Sequence, residues 1–211
     1  MKSASGGQIA LPLGWPPRPN EEAFLVTPSN ARAAHLLDHW GAWPVMTALL
    51  VGPRKSGRSL LARIFAAKSG GTVIDDAERA PEEHLFHAWN RAQAVRRPLV
   101  IVADVAPPAW AVQLPDLRSR LAACVVADIG APDDQLVRAL LNAQFSRRGL
   151  DARPDLVDWL AARLERSHIA VLRAVDALDQ EVLETRRRLT VPLARTALAA
   201  AGLVAASTEQ S

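Results

Sequence analysis

Gly52-Pro53-Arg54-Lys55-Ser56-Gly57-Arg58-Ser59 combines two glycines, a run of cations and a terminal hydroxyl. Glycine tolerates the backbone angles that turn successive N–H groups inward, and inward amides bind phosphate oxygens. The spacing is that of a P-loop running into a helix at Ser59, whose hydroxyl is placed to reach Mg2+. Arginine stands at position 58, where this motif carries lysine. A guanidinium pairs with phosphate as a flat fork and not as a compact point charge, so it can grip phosphate without taking lysine's place at a γ-phosphate. Phosphate binding and nucleotide hydrolysis are therefore separate questions in this chain.

Two other segments end in carboxylates. Thr72-Val73-Ile74 runs into Asp75-Asp76, and Leu99–Ala103 runs into Asp104. Carboxylates at the ends of strands beside a phosphate loop can hold Mg2+ through water and polarise an attacking water. The alternative for Asp75-Asp76 is a helix cap after a strand. His84 and His87 lack a third ligand and do not form a metal site. Six tryptophans are scattered and tyrosine is absent, which leaves no base-stacking platform.

The elements that must position these groups follow from the apolar pattern. Ala48–Val51, Thr72–Ile74, Leu99–Ala103 and Cys124–Ile129 read as short parallel strands, aliphatic on both faces. Helices fit near 29–40, 59–67, 81–94 and 114–121, and this alternation predicts an α/β layer fold. From Pro132 the apolar period becomes helical through Leu136, Leu140, Phe145, Leu156, Leu160, Leu172 and Leu178, with a last helix over 191–201. The predicted organisation is a tail over 1–20, an α/β base over 21–130, a helical unit over 131–202 and a frayed end over 203–211.

Composition bounds the reading. The chain has 211 residues, 49% hydrophobic and 22% charged, which are globular values. No apolar run approaches the roughly 20 residues of a membrane span. Its formal charge is +3 and its pI about 9.7, with short arginine clusters near helix ends, where cations favour the dipole. A single cysteine, Cys124, suits the cytoplasm and reads as a small core residue.

A resemblance rests on the joint order of several segments. Phe24-Leu25-Val26 with Ser29-Asn30, the P-loop, Ile74-Asp75-Asp76, Glu82 to Asn90, and Leu117-Arg118-Ser119-Arg120 follow one another as in DnaA-type AAA+ ATPases. Arg147-Arg148-Gly149-Leu150, Arg188 to Pro192 and the P-loop arginine are similar to the Hda branch, regulators that inactivate DnaA. The resemblance covers about residues 8–200. It implies a AAA+ P-loop NTPase with a helical lid, binding ADP or ATP through residues 52–60 with Mg2+ at Ser59 and Asp75. Asp75 and Asp76 would be the Walker B carboxylates, Asp104 the sensor-1 residue, and Arg120 an arginine finger projected at a neighbour's nucleotide. Gln8-Ile9-Ala10-Leu11-Pro12-Leu13 is similar to the sliding-clamp-binding peptide of that branch. Gln8 would bond backbone, Leu11 and Leu13 would fill apolar pockets, and Pro12 would limit the entropy lost on docking; the alternative is that both leucines fold onto their own core.

The implied partners are the DNA polymerase III sliding clamp and the DnaA initiator, with a homo-oligomer allowed. Intrinsic hydrolysis is expected to be weak, and sequence-specific DNA binding is not expected because no helix-turn-helix follows the bundle. The readings left beside this one are an autonomous P-loop ATPase or kinase on a small substrate, and an adaptor that uses no nucleotide. Two departures from the family pattern matter. Ile169 stands at the sensor-2 arginine position, and only sixteen residues separate Arg58 from Asp75, so the family's second strand and its helix are missing. The order 5-1-4-3-2 then shortens to 5-1-4-3, leaving Thr72–Ile74 as a short edge.

Overall fold

The computed structural model describes residues 24–204, and these form two compact units that divide after Gly130. The segment from Gln8 to Leu13 lies outside the described residues. Among those described, no helix is long and apolar enough to cross a membrane.

The first unit runs α1 (Ala31–Asp38), β1 (Thr47–Val51), α2 (Arg58–Ser69), β2 (Thr72–Ile74), α3 (Glu82–Val95), β3 (Leu99–Ala103), α4 (Pro115–Ala122) and β4 (Val125–Asp128). Its four strands are parallel in the order β2-β3-β1-β4, the four-stranded order that the resemblance implied. Side chains alternate across a strand, and this sorts the aliphatic residues into two cores. Ala48, Leu50, Val100 and Val102 pack towards α1 and α2. Leu49, Val51, Leu99, Ile101 and Ala103 pack towards α3 and α4. The central strands β1 and β3 are buried along their whole length. The edges are not: β2 is partly exposed and Val126 of β4 is 42% exposed, so the expectation of two covered faces holds only for the centre of the sheet.

Register places the C-terminal ends of three strands side by side. Val51 pairs with Ala103, and Ile74 with Ile101. The loop after β1, the carboxylates after β2 and Asp104 after β3 therefore share one edge of the sheet. That edge is where open α/β folds place ligands.

The second unit contains α5 (Asp134–Arg147), α6 (Pro154–Ala161), α7 (His168–Thr185) and α8 (Val191–Ala200) around Phe145, Leu156, Leu160, Val175, Leu178 and Leu198. Asp133 and Ser167 cap α5 and α7 through their side-chain oxygens. Leu203 and Val204, assigned to the C-terminal tail from sequence, pack against this core. Gly202 takes φ +68° and lets the Leu203 amide return to the Leu198 carbonyl at 2.9 Å, a glycine helix stop that carries the chain back inward.

Candidate nucleotide-phosphate site

β1 ends at Val51, and the chain leaves the sheet through Gly52 at φ +153°. A Cβ at Gly52 would lie 2.7 Å from the Ile129 carbonyl oxygen, so no side chain fits there. Lys55 and Gly57 then take φ +67° and +87°, and α2 begins at Arg58. The first bond of that helix runs from the Leu61 amide to the Gly57 carbonyl at 2.9 Å. The amides of Arg58, Ser59 and Leu60 precede it, have no acceptor inside the helix and carry its positive end. Ser56 is 4% exposed, and its hydroxyl has no partner among the described residues. Open amides, a helix N-terminus and an unsatisfied hydroxyl on a glycine-hinged loop fit phosphate oxygens. Phe24 packs over the loop, since a Cβ on Gly57 would meet its ring at 3.2 Å.

Of the loop's cations Arg58 is turned inward, while Arg54 and Lys55 are exposed. Arg58 is buried; its Nη1 donates to the carbonyls of Gly52 and Ala103, the latter at 2.7 Å, and its Nη2 donates to Asp104 Oδ1. Arg54 Nε donates to the other oxygen of the same carboxylate at 3.2 Å. Asp76 Oδ1 lies 3.8 Å from both guanidiniums. The hydrogen bond from Arg58 holds the Asp104 carboxyl below its ordinary range, partial burial opposes this, and the charges of Arg58 and Arg54 add to the lowering.

Arg54, Arg58, Asp76 and Asp104 are thus brought together. Asp75 is exposed and accepts from the Asp76 amide at 2.9 Å; none of its recorded contacts is with the loop arginines. Ser59 is the second residue of α2.

Two glutamates without a motif of their own shape the same edge. Glu78 accepts from the Asp104 and Val105 amides and fixes the end of β3. Glu82, at the start of α3, accepts from the Gln113 and Leu114 amides at 2.8 and 2.6 Å and ties the entry of α4 to α3. Glu82 opens the segment to Asn90 that carries part of the resemblance and Glu78 lies in none, but only the fold shows the partners of either.

Arg120 lies on α4, and its recorded side-chain contacts are all on α3. Its guanidinium stands 4.2 Å from the Phe86 ring centroid and 4.7 Å from that of Trp89, and it donates to Asn90 Oδ1. This is a cation held over two aromatic faces. Cys124 is buried beneath, its thiol donating to the Arg120 carbonyl at 3.3 Å, and burial pushes that thiol up to about 11. In the second unit Ile169, on α7, is 37% exposed.

Residues 133–198 match the family model of the Hda lid domain. An uncharacterised protein of Haemophilus influenzae is 32% identical over 116 residues, 54% of this chain and 50% of its own length. The chromosomal replication initiator protein DnaA of Leptospira biflexa is 35% identical over 103 residues, 48% of this chain and 23% of its own. The chain therefore spans half or less of the curated relatives it matches. Domain III of the Thermotoga maritima replication initiation protein DnaA superposes with a TM-score of 0.70 at 16% identity, covering 86% of this chain and 95% of that one. AMPPCP-bound DnaA from Aquifex aeolicus superposes at 0.58 with 14% identity, covering 76% and 63%. The fold is that of domain III of the replication initiation protein DnaA, and residues 133–198 are similar to the Hda lid domain.

Proposed function

We propose that this DnaA/Hda-like AAA+ chain is a cytoplasmic negative regulator of replication initiation. It binds ADP or ATP at residues 52–60, is tethered to the DNA-loaded sliding clamp through Gln8, Leu11, Pro12 and Leu13, and offers Arg120 to ATP held by a DnaA initiator. One observation carries the reading: the two arginines a nucleotide would need are separated. Arg58 is turned inward onto Gly52 and the end of β3, whereas Arg120 on α4 is held against Phe86, Trp89 and Asn90 of α3. An own site that restrains its cation, beside an arginine supported elsewhere, suits action at a second protein's nucleotide.

The nucleotide assignment is supported by the loop geometry and by a structural neighbour that binds AMPPCP. Ser59 and Asp75 would hold a Mg2+ ion that neutralises phosphate charge. Ile169 at the sensor-2 position presents no cation to a γ-phosphate, which favours weak turnover by the chain alone. Asp76 and Asp104 at the mouth of the loop favour a second reading, an autonomous ATPase, which predicts turnover by the isolated chain that is lost in Asp75→Asn or Asp76→Asn.

The test is hydrolysis of initiator-bound ATP with and without loaded clamp, comparing the wild type with a Gln8, Leu11 and Leu13 triple alanine variant. The proposal expects stimulation by the wild type that needs the clamp and is lost in the variant. Equal rates in all arms contradict it.

A further inference from the structure

The P-loop arginines are matched by carboxylates of the chain itself. A guanidinium has five N–H donors. Those of Arg58 reach two main-chain carbonyls and Asp104, and Asp104 divides its oxygens, Oδ1 to Arg58 and Oδ2 to Arg54. Asp76 stands 3.8 Å from both guanidiniums, so two cations face two carboxylates and an arriving anion meets a balanced cluster. The three partners of Arg58 differ in one respect. The Gly52 and Ala103 carbonyls belong to the loop entry and to β3, and cannot leave without disturbing the sheet. The Asp104 carboxylate is a side chain, 42% exposed, and can turn to water. It is also the one partner carrying the charge of a phosphate oxygen. A lysine at position 58 would be a point charge and could not bridge the same three acceptors as a planar fork.

We propose that Asp104 is an internal competitor for nucleotide phosphate. It holds Arg58 and Arg54 in the free chain, yields them to phosphate oxygens on binding, and so sets how tightly the loop holds a nucleoside diphosphate or triphosphate. The inference rests on the reading of residues 52–60 as a nucleotide site. It assigns Asp104 a part in affinity, separate from any part in hydrolysis: removing its carboxylate charge strengthens binding.

The experiment is calorimetric titration of the full chain with ADP for the wild type, Asp104→Asn and Asp104→Ser, and for Asp104→Asn combined with Arg54→Ala or Arg58→Ala. The expected result is a Kd at least about fivefold lower in both Asp104 variants, the scale of one partly exposed charge pair. Most of that gain should vanish when either arginine is absent. Wild-type binding with an equal or higher Kd in the Asp104 variants overturns the inference and leaves the nucleotide site standing. A gain of full size in the arginine-free backgrounds also overturns it, because loss of negative charge alone would then be the cause. Absence of ADP binding in every protein overturns the inference and the nucleotide reading together. A measurement on the wild type keeps the test independent of the variants' folding: ADP should shift the Arg54 Nε resonance as that donor leaves Asp104, and an unmoved resonance with ADP bound contradicts the proposal.

Discussion

Arg58 and Asp104, 46 residues apart in the chain, form a hydrogen-bonded ion pair that fastens the phosphate loop to the end of β3. The arginine is 6% exposed and the carboxylate 42%, so one partner is fixed in the protein and the other borders water. The pair explains how a P-loop can carry arginine without an uncompensated buried charge.

Replacing Arg58 therefore costs stability. Arg58→Ala leaves the Gly52 and Ala103 carbonyls without their donor, and a buried acceptor left unsatisfied costs about 1–3 kcal/mol. Arg58→Lys should cost less than Arg58→Ala, because an ammonium retains part of the contact. Urea unfolding without nucleotide checks the order wild type, lysine, alanine; equal stability of all three would contradict the structural part assigned to the fork.

The second unit should weaken in mild acid. His168, the first residue of α7, is 6% exposed, its Nδ1 has no partner among the described residues, and burial lowers its pKa from the ordinary 6.5. The unfolded chain then binds a proton that the folded chain refuses. Stability is complete above the unfolded value and falls as pH drops below about 6.5, levelling only below the folded value. One such group contributes at most about 1.4 kcal/mol per pH unit. Denaturation at several pH values between 7.5 and 5 should show the loss in the wild type, and His168→Gln should flatten it. An unchanged slope in that variant would contradict the assignment.

Cys124 should be inert in the folded chain. With its thiol pushed to about 11, roughly one molecule in a thousand carries the reactive thiolate at pH 8. Alkylation followed by mass spectrometry should be slow in native buffer and fast in urea. Fast native labelling would contradict the burial of the thiol beneath Arg120.

Much of this architecture was legible in the chain. The strands are short aliphatic runs whose alternate residues enter different cores, so their positions followed from pattern, whereas their order followed from the resemblance to DnaA-type AAA+ ATPases. The glycine-hinged turn after β1 was legible because Gly52 and Gly57 are demanded by backbone angle and by the closeness of Ile129 and Phe24. The orientation of Arg58 was not legible, because its acceptors are brought to it by the pairing of β1 with β3, and no local spacing encodes that register. Glu78 and Glu82 escaped for the same reason: their partners are amides 26 to 32 positions away. Thr72–Ile74 was read as a short edge, but the exposure of Val126 on β4 was not, because an aliphatic run looks the same at the edge of a sheet as at its centre.

The most direct measurement is the rate of hydrolysis of DnaA-bound ATP in the presence of loaded clamp and either wild-type chain or Arg120→Ala. Calorimetric binding of ADP to both proteins confirms that the nucleotide site is retained. The account predicts that the wild type accelerates hydrolysis and that the variant, folded and able to bind ADP, does not. Acceleration by Arg120→Ala equal to that by the wild type would contradict it.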